Sequence, residues 1–424
     1  MAQRQDIPLC AVPWYYNLTE ESAITVRYMI EMKDPIDGDA LRRAVDIAMT
    51  RYPYLMKRVV ADDCRYYLED NDRPIAVINT QDPIHLGSEE ANYHQIALSY
   101  WKDFICFNNT HAIFDGRGRY DVLHTIIYYY CTYRYNETVD MPGVKLAGSP
   151  IDPSEYEDPY TKPFPEINFS LPEPLSPKKV FRMDKAGLVT NSEAQIHRLR
   201  ISEKSLMACC KLYDGTPNTA ISILMSRAIQ KVHPENTLPI VSGIYCDLRS
   251  ALDVPHTHQC LVTTLPLAYD NRLADLEFGE QNTIYRGMMM VLAEPSRLVL
   301  TQKFQKAACK AVNALPTLKE KTDAAIGAMQ TLFLSHSFLV SYSGRSNFGS
   351  CNEHIAAFFS QPYARNFNML IEVTSADGWF DLAISQEWQE DVYFNAFLKE
   401  LNSLGLEYDL LYSAPNVPAR FCLG

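Results

Sequence analysis

The chain switches repeatedly between a helical and a strand period. Residues 39–52 place Leu41, Ala44, Val45, Ile47 and Ala48 at helical spacing, and Pro53 ends that helix. Residues 57–60 and 64–68 read as a short hairpin. Residues 99–108 read as one strand, with Tyr100, Phe104, Cys106 and Asn108 on one side. Residues 119–135 are strongly apolar, which predicts a buried helix. Further on, 193–201 alternates as a strand, 202–213 and 218–232 take the helical period, and 237–246 is again a strand. Residues 281–312 are mostly helical, with an interruption near Pro295. An apolar run at 337–341 is bounded by Gly344. Residues 368–375 and 379–386, joined through Ala376-Asp377-Gly378, predict a hairpin, and 391–404 predicts an amphipathic final helix. Strands and helices mix throughout, so the expected class is α/β or α+β with large sheets.

One stretch breaks the pattern. Nine prolines fall between Pro142 and Pro177, a density that removes backbone donors and blocks both helix and central strand. It reads as an extended connection between two halves: 1–140, a crossover at 141–190, and 191–424. The length of 424 residues agrees, being enough for roughly two domains of about 200 residues.

Composition narrows the possible partners. Hydrophobic residues at 47% and charged residues at 21% describe a globular chain, and its net charge of −12 argues against a nucleic-acid binder. No charge-free apolar run reaches about 20 residues, so no membrane span is expected. The first residues lack the basic-then-apolar pattern of a secretory leader. Eleven cysteines, an odd number without paired spacing, suggest free thiols in a reducing cytoplasm.

The candidate chemistry lies in Asn108–Gly118, NNTHAIFDGRG. His111 falls just past a strand and just before a helix, where a side chain is exposed at a sheet edge. Histidine is the side chain best suited to move a proton near neutral pH. Asp115, four residues on, can contact it or lock the loop by pairing with an arginine. Gly116 can take a positive φ and turn the chain sharply into the helix. The plain alternative is an Asp-Gly turn with an incidental histidine.

HAIFDG resembles His-x-x-x-Asp-Gly, the signature of the CoA-dependent acyltransferase superfamily. That superfamily includes chloramphenicol acetyltransferase, condensation domains of peptide synthetases, plant acyltransferases and alcohol O-acetyltransferases. RYPYLMKRVV (Arg51 to Val60), IVSGIYCDLRSAL (Ile240 to Leu252) and LVSYSGRSNFG (Leu339 to Gly349) resemble further family segments in the family's order. The resemblance implies two similar halves, each a mixed sheet with helices, meeting at a central tunnel. It implies transfer of an acyl group from a thioester, acyl-CoA first, to an alcohol or amine, with His111 as general base. Asp115 and Gly116 would shape the loop, with Arg58 as the expected partner of Asp115. Ser341, Tyr342 and Ser343 are the candidates to steady the oxyanion. No permanent cofactor is implied, and the duplicated halves suggest a monomer.

The sequence also departs from the family. Thr110 stands where condensation domains carry a first histidine, and Met56 replaces an arginine. No carrier or adenylation motif accompanies the chain. A condensation-type enzyme with an acyl or peptidyl carrier protein as donor, and an inactive binding protein of the same fold, are the alternatives. Elsewhere, Asp247 and Arg249 read as a structural ion pair at a strand end. His256, His258 and Cys260 have the spacing of metal ligands on a strand but lack a fourth, so no metal is expected.

Overall fold

A computed structural model describes residues 4–167, 179–189, 192–363 and 368–423; of Ser343 only the backbone is described. In the first half the strands are Gln5–Asp6 (β1), Thr25–Met32 (β2), Lys57–Ala61 (β3), Tyr66–Asp70 (β4), Val77–Asn79 (β5), His85–Leu86 (β6), Ile96–Trp101 (β7) and Phe104–Thr110 (β8). The helices there are Val12–Tyr15 (α1), Gly38–Met49 (α2) and Gly116–Tyr135 (α3). In the second half, Gln195–Ser202 (β9) leads into Glu203–Leu212 (α4) and Pro217–Val232 (α5), then Ile240–Asp247 (β10), the short Arg249–Leu252 (α6) and Val262–Tyr269 (β11). Phe338–Arg345 (β12), Ile355–Tyr363 (β13), Met369–Ala376 (β14), Trp379–Gln386 (β15), Tyr408–Pro415 (β16) and Arg420–Phe421 (β17) complete the strands.

Two large sheets carry the fold. One has the order β13-β2-β8-β7-β5 and the other β11-β10-β12-β14-β15-β9-β16. In the second sheet β10, β12 and β14 run parallel, and the remaining pairs are antiparallel. The class is therefore mixed α/β, as the periods predict. β13 crosses between the halves: it pairs along β2, with Phe359 opposite Met29, although more than 300 residues separate them. The expected split into 1–140 and 191–424 thus follows the chain but not the sheets.

Local chemistry explains the elements around the site. Asp37 caps α2, its carboxylate accepting from the backbone N–H groups of Asp39 and Ala40 at 3.0 and 2.9 Å. Leu41, Ala44, Val45 and Ala48 of α2 are buried against α3 and the five-stranded sheet. α3 begins three residues earlier than the pattern predicts, because Asp115 accepts from Gly118 N at 3.1 Å and caps it. The expected single strand at 99–108 is two strands, β7 and β8. Lys102, at φ 47°, turns the chain between them without the glycine that usually marks such a turn.

The expected crossover, 141–190, is described over 141–167 and 179–189. Its described part contains short 3-10 turns at Pro153–Glu155, Pro159–Thr161 and Met183–Lys185 and no strand or α-helix. Pro172, Pro174 and Pro177 lie outside the described residues. Arg51 fastens this segment, its two terminal nitrogens donating to Glu155 at 3.0 and 2.7 Å, and Tyr54 donates to the same carboxylate at 2.8 Å. RYPYL therefore acts as an anchor for the crossover.

Candidate active site

His111 follows β8 directly, and its backbone N–H donates to Ile24 O at 2.8 Å. The imidazole stacks on Trp14 of α1 with centroids 4.5 Å apart and planes 15° apart. Its Nδ1 lies 3.5 Å from Cys260 Sγ. Nε2 is then the nitrogen left for a ligand. Burial, reinforced by the nearby Arg119 cation, lowers the imidazole from its ordinary value to about 4. The ring is therefore neutral at pH 7, the form that accepts a proton.

Asp115 does not touch His111 but holds the loop from below. Both of its oxygens receive Arg249 nitrogens at 2.8 Å, and the backbone N–H groups of Leu261 and Gly118 add bonds at 3.0 and 3.1 Å. Burial alone would raise this carboxyl, but Arg249 holds it below the usual carboxylate value. Arg249 also donates to Asp247, Thr257 O and Gln259 O. Every N–H of the guanidinium is thereby used. Arg58, the expected partner of Asp115, is instead paired with Glu69 at 2.6 Å on the β3–β4 hairpin. The pairing of Asp247 with Arg249 is present at 3.0 Å, and it extends to Asp115.

Gly116 is the first residue of α3 and does not make the left-handed turn expected there. The glycine that the packing requires is Gly118: a Cβ there would lie 2.5 Å from His258 O and 3.0 Å from His258 Cα. The stretch 256–260 is a loop, so His256, His258 and Cys260 do not line a strand face. His258 is bound to Tyr54 and Asp121, each at 3.0 Å, while Cys260 faces His111. Among the described residues one cluster has metal-ligand spacing, Glu137 with Glu353 and His354. It sits past the far end of α3, about 30 Å along the helix from His111.

A cavity of about 380 Å³ opens over His111. It is lined from both sheets: Trp14, Tyr28, Asp115 and Arg119 on one side, Tyr245, Ser341 and Glu372 on the other. A second cavity of about 430 Å³ reaches the same loop at Ile113. Of the three oxyanion candidates, Ser341 faces the first cavity and its hydroxyl bonds Glu372. Tyr342 also borders it, but its ring packs edge-on against Phe380 at 5.7 Å. The Ser343 side chain lies outside the described residues.

Sequence reasoning passed over Trp14, Tyr28, Arg119 and Glu372. Glu372 is the notable omission: it is buried beside Ser341 in the β12–β14 ladder, and its carboxyl accepts from Tyr28 Oη at 3.2 Å. Burial raises this carboxyl from its ordinary value to about 7. A lone glutamate in the wholly buried strand MLIEVTSA was the available signal.

The chain has the chloramphenicol acetyltransferase-like fold. Neither a protein-family model nor a curated protein sequence matches it. Among solved structures, TRI101 from F. graminearum, complexed with coenzyme A and T-2 mycotoxin, superposes with a TM-score of 0.61 at 12% identity, over 96% of this chain and 100% of that one. Polyketide synthase associated protein 5 from Mycobacterium tuberculosis gives 0.57 at 12%, over 95% and 97%. The first condensation domain of the CDA synthetase gives 0.57 at 13%, over 98% of each chain.

Proposed function

We propose that this protein is an acyltransferase that moves an acyl group from a thioester to an alcohol or amine, with His111 as general base. The observation that carries this reading is the His111 imidazole, stacked on Trp14 with Nδ1 against Cys260 Sγ, in a cavity between two sheets. His111 Nε2 removes the proton from the acceptor as its oxygen or nitrogen bonds to the thioester carbonyl carbon. The tetrahedral oxyanion then collapses, the carbon–sulfur bond breaks, and the departing thiolate takes the proton from the imidazolium. A base this weak holds that proton only while negative charge forms beside it, which favours the transition state over the ground state. Ser341 is the local hydroxyl for the oxyanion.

Two cavities that meet at one loop suit a donor and an acceptor entering from different sides. Acyl-CoA is the first donor to test, because the superposable TRI101 was crystallised with coenzyme A. Likeness to a condensation domain keeps a carrier-bound donor as the second reading. No helix among the described residues is long and apolar enough to cross a membrane, and the eleven cysteines are free thiols. A reducing cytoplasm and a monomeric state belong to the same proposal. Free-thiol release from acetyl-CoA and longer acyl-CoAs against alcohols and amines tests the reading. Release with ester or amide formed in equal amount is expected. Product from a carrier-loaded thioester alone would select the second reading, and none from either donor would leave a binding protein of this fold.

A further inference from the structure

Six carboxyl side chains are buried among the described residues, and five of them meet a basic side chain. Glu69 pairs with Arg58, Asp115 with Arg249, Glu155 with Arg51, Asp381 with Arg198 and Glu400 with Arg227. Glu372 is different. Among the described residues it makes no ion pair, and its Oε1 accepts from Tyr28 Oη at 3.2 Å. A carboxylate stripped of water and left without a cation is costly, so such a group keeps its proton instead. The surroundings agree. Tyr28 faces it from β2, Tyr245 from β10 and Ser341 from β12, while β15 presents Ala383, and His111 and Tyr363 line the same cavity. Arg119 of α3 is near enough to favour ionisation, but burial outweighs it and lifts the carboxyl to about 7.

Ser341 is the neighbour that this proton governs. The two residues are opposed in the parallel β12–β14 ladder, both line the His111 cavity, and the serine hydroxyl engages the carboxyl. Ser341 is half-buried whereas Glu372 is buried, so the serine is the one presented to a ligand. A serine hydroxyl has a single hydrogen. Beside a carboxylate, which can only accept, that hydrogen goes to Glu372. Beside a carboxylic acid, Ser341 Oγ accepts and its hydrogen is left for the cavity. Tyr28 decides between the two carboxyl oxygens: it donates to Oε1, so the acid proton belongs on Oε2.

We propose that Glu372, as a carboxylic acid, is a positioning residue for the oxyanion: it donates to Ser341 Oγ and turns the Ser341 hydrogen toward the thioester carbonyl oxygen. This rests on the acyltransferase reading for the reaction, while the Glu372–Ser341 hydrogen bond can be read apart from it. Glu372 gives up no proton during the step. The Ser341 hydrogen bond strengthens as the carbonyl oxygen gains charge, and His111 alone moves the proton of the acceptor.

Turnover against pH tests the positioning, with wild type, Glu372→Gln, Glu372→Ala, Ser341→Ala and the double alanine variant. Wild type is expected to step down about ten-fold as pH rises through about 7, where ionised Glu372 captures the serine hydrogen. Glu372→Ala is expected to lose about ten-fold or more in kcat with little change in KM. Glu372→Gln, whose amide N–H still donates to Ser341 Oγ, restores most of that loss and abolishes the step. The double alanine variant is no slower than Ser341→Ala, because Glu372 acts through the serine. A glutamine variant as slow as the alanine one, a step that persists in it, or losses that multiply in the double variant would overturn the proposal. Infrared difference spectra between wild type and Glu372→Gln read the hydrogen bond without turnover. A protonated carboxyl band at pH 5 that shifts in Ser341→Ala is expected. An ionised carboxyl at that pH, or a band indifferent to Ser341→Ala, overturns the proposal. The shifted band in a chain that releases no thiol would keep Glu372 as the residue that orients Ser341 and remove the acyl-transfer reading.

Discussion

Arg249 donates two hydrogen bonds of 2.8 Å to the two oxygens of Asp115, joining positions 134 residues apart in sequence. Both side chains are almost wholly buried, at 1% and 2% exposure. Through this pair the second half of the chain fixes the loop that presents His111. Replacing Asp115 with alanine leaves the buried Arg249 guanidinium with Asp247 as its one carboxylate partner, leaves Leu261 N–H and Gly118 N–H as unpaired donors, and removes the cap of α3. The expected cost is about 3–5 kcal/mol, read as a lower urea midpoint at unchanged slope. Because the folded carboxyl is held below its unfolded value, the pair stabilises the protein above the unfolded pKa. That stability disappears as pH falls through the folded one, so the difference between wild type and variant shrinks in acid.

Glu372 has the opposite sign. Its carboxyl is raised from 4.5 to about 7, so between these values the folded chain keeps a proton that the unfolded chain has lost. Stability falls as pH rises through that window. Glu372→Gln removes the ionisation and is expected to raise the melting temperature more at pH 8 than at pH 5. The difference is on the order of 3 kcal/mol. Equal effects at both pH values would show that the carboxyl is ionised normally.

Gly118 faces the carbonyl of His258, where an added Cβ would meet backbone atoms rather than a flexible side chain. Gly118→Ala must push α3 and the 256–260 loop apart. About 1–3 kcal/mol of destabilisation is expected, with a drop in turnover because Asp115 and His111 sit on the same loop. Calorimetric melting and thiol release, measured together, check both effects.

Trp14 sets the plane of the His111 ring by stacking at 4.5 Å. Trp14→Ala frees the imidazole to rotate, and about 10–100-fold is expected to be lost from kcat. Trp14→Phe, which keeps a face to stack on, is expected to retain most of it. An alanine variant that raises KM alone would make Trp14 a wall of the cavity and nothing more.

Much of this was legible along the chain. The hairpin β14–β15 follows from two strand-like runs joined by Ala376-Asp377-Gly378, with Asp377 and Gly378 both at positive φ, and the helix α3 from an apolar run behind an aspartate. Other elements lacked a local signal. β11 contains Pro266, which argues against a strand until its edge position in the seven-stranded sheet is known. β13 and β16 pair with strands far away in sequence. The helix Leu318–Leu334 has no long apolar stripe, burying chiefly Lys321, Ala325, Met329 and Phe333.

The site divides in the same way. His111 and Asp115 stand four residues apart in one short stretch, and the resemblance of HAIFDG to His-x-x-x-Asp-Gly marks both. Arg58 was chosen for Asp115 from the same half of the chain, whereas the actual partner, Arg249, comes from the other half. Arg119 follows His111 on the first turn of α3, whereas Trp14 and Glu372 converge on His111 only through packing of distant segments, which no short window contains.

The central claim is that His111 is the proton acceptor in acyl transfer. The direct measurement is single-turnover thiol release from acyl-CoA in the presence of acceptor, for wild type and His111→Ala at matched melting temperature. The account expects release in wild type across neutral pH, with its acid limb well below 6.5 because the folded imidazole is lowered to about 4. It expects a loss of at least about 100-fold in the variant. Equal rates in the two proteins would contradict it.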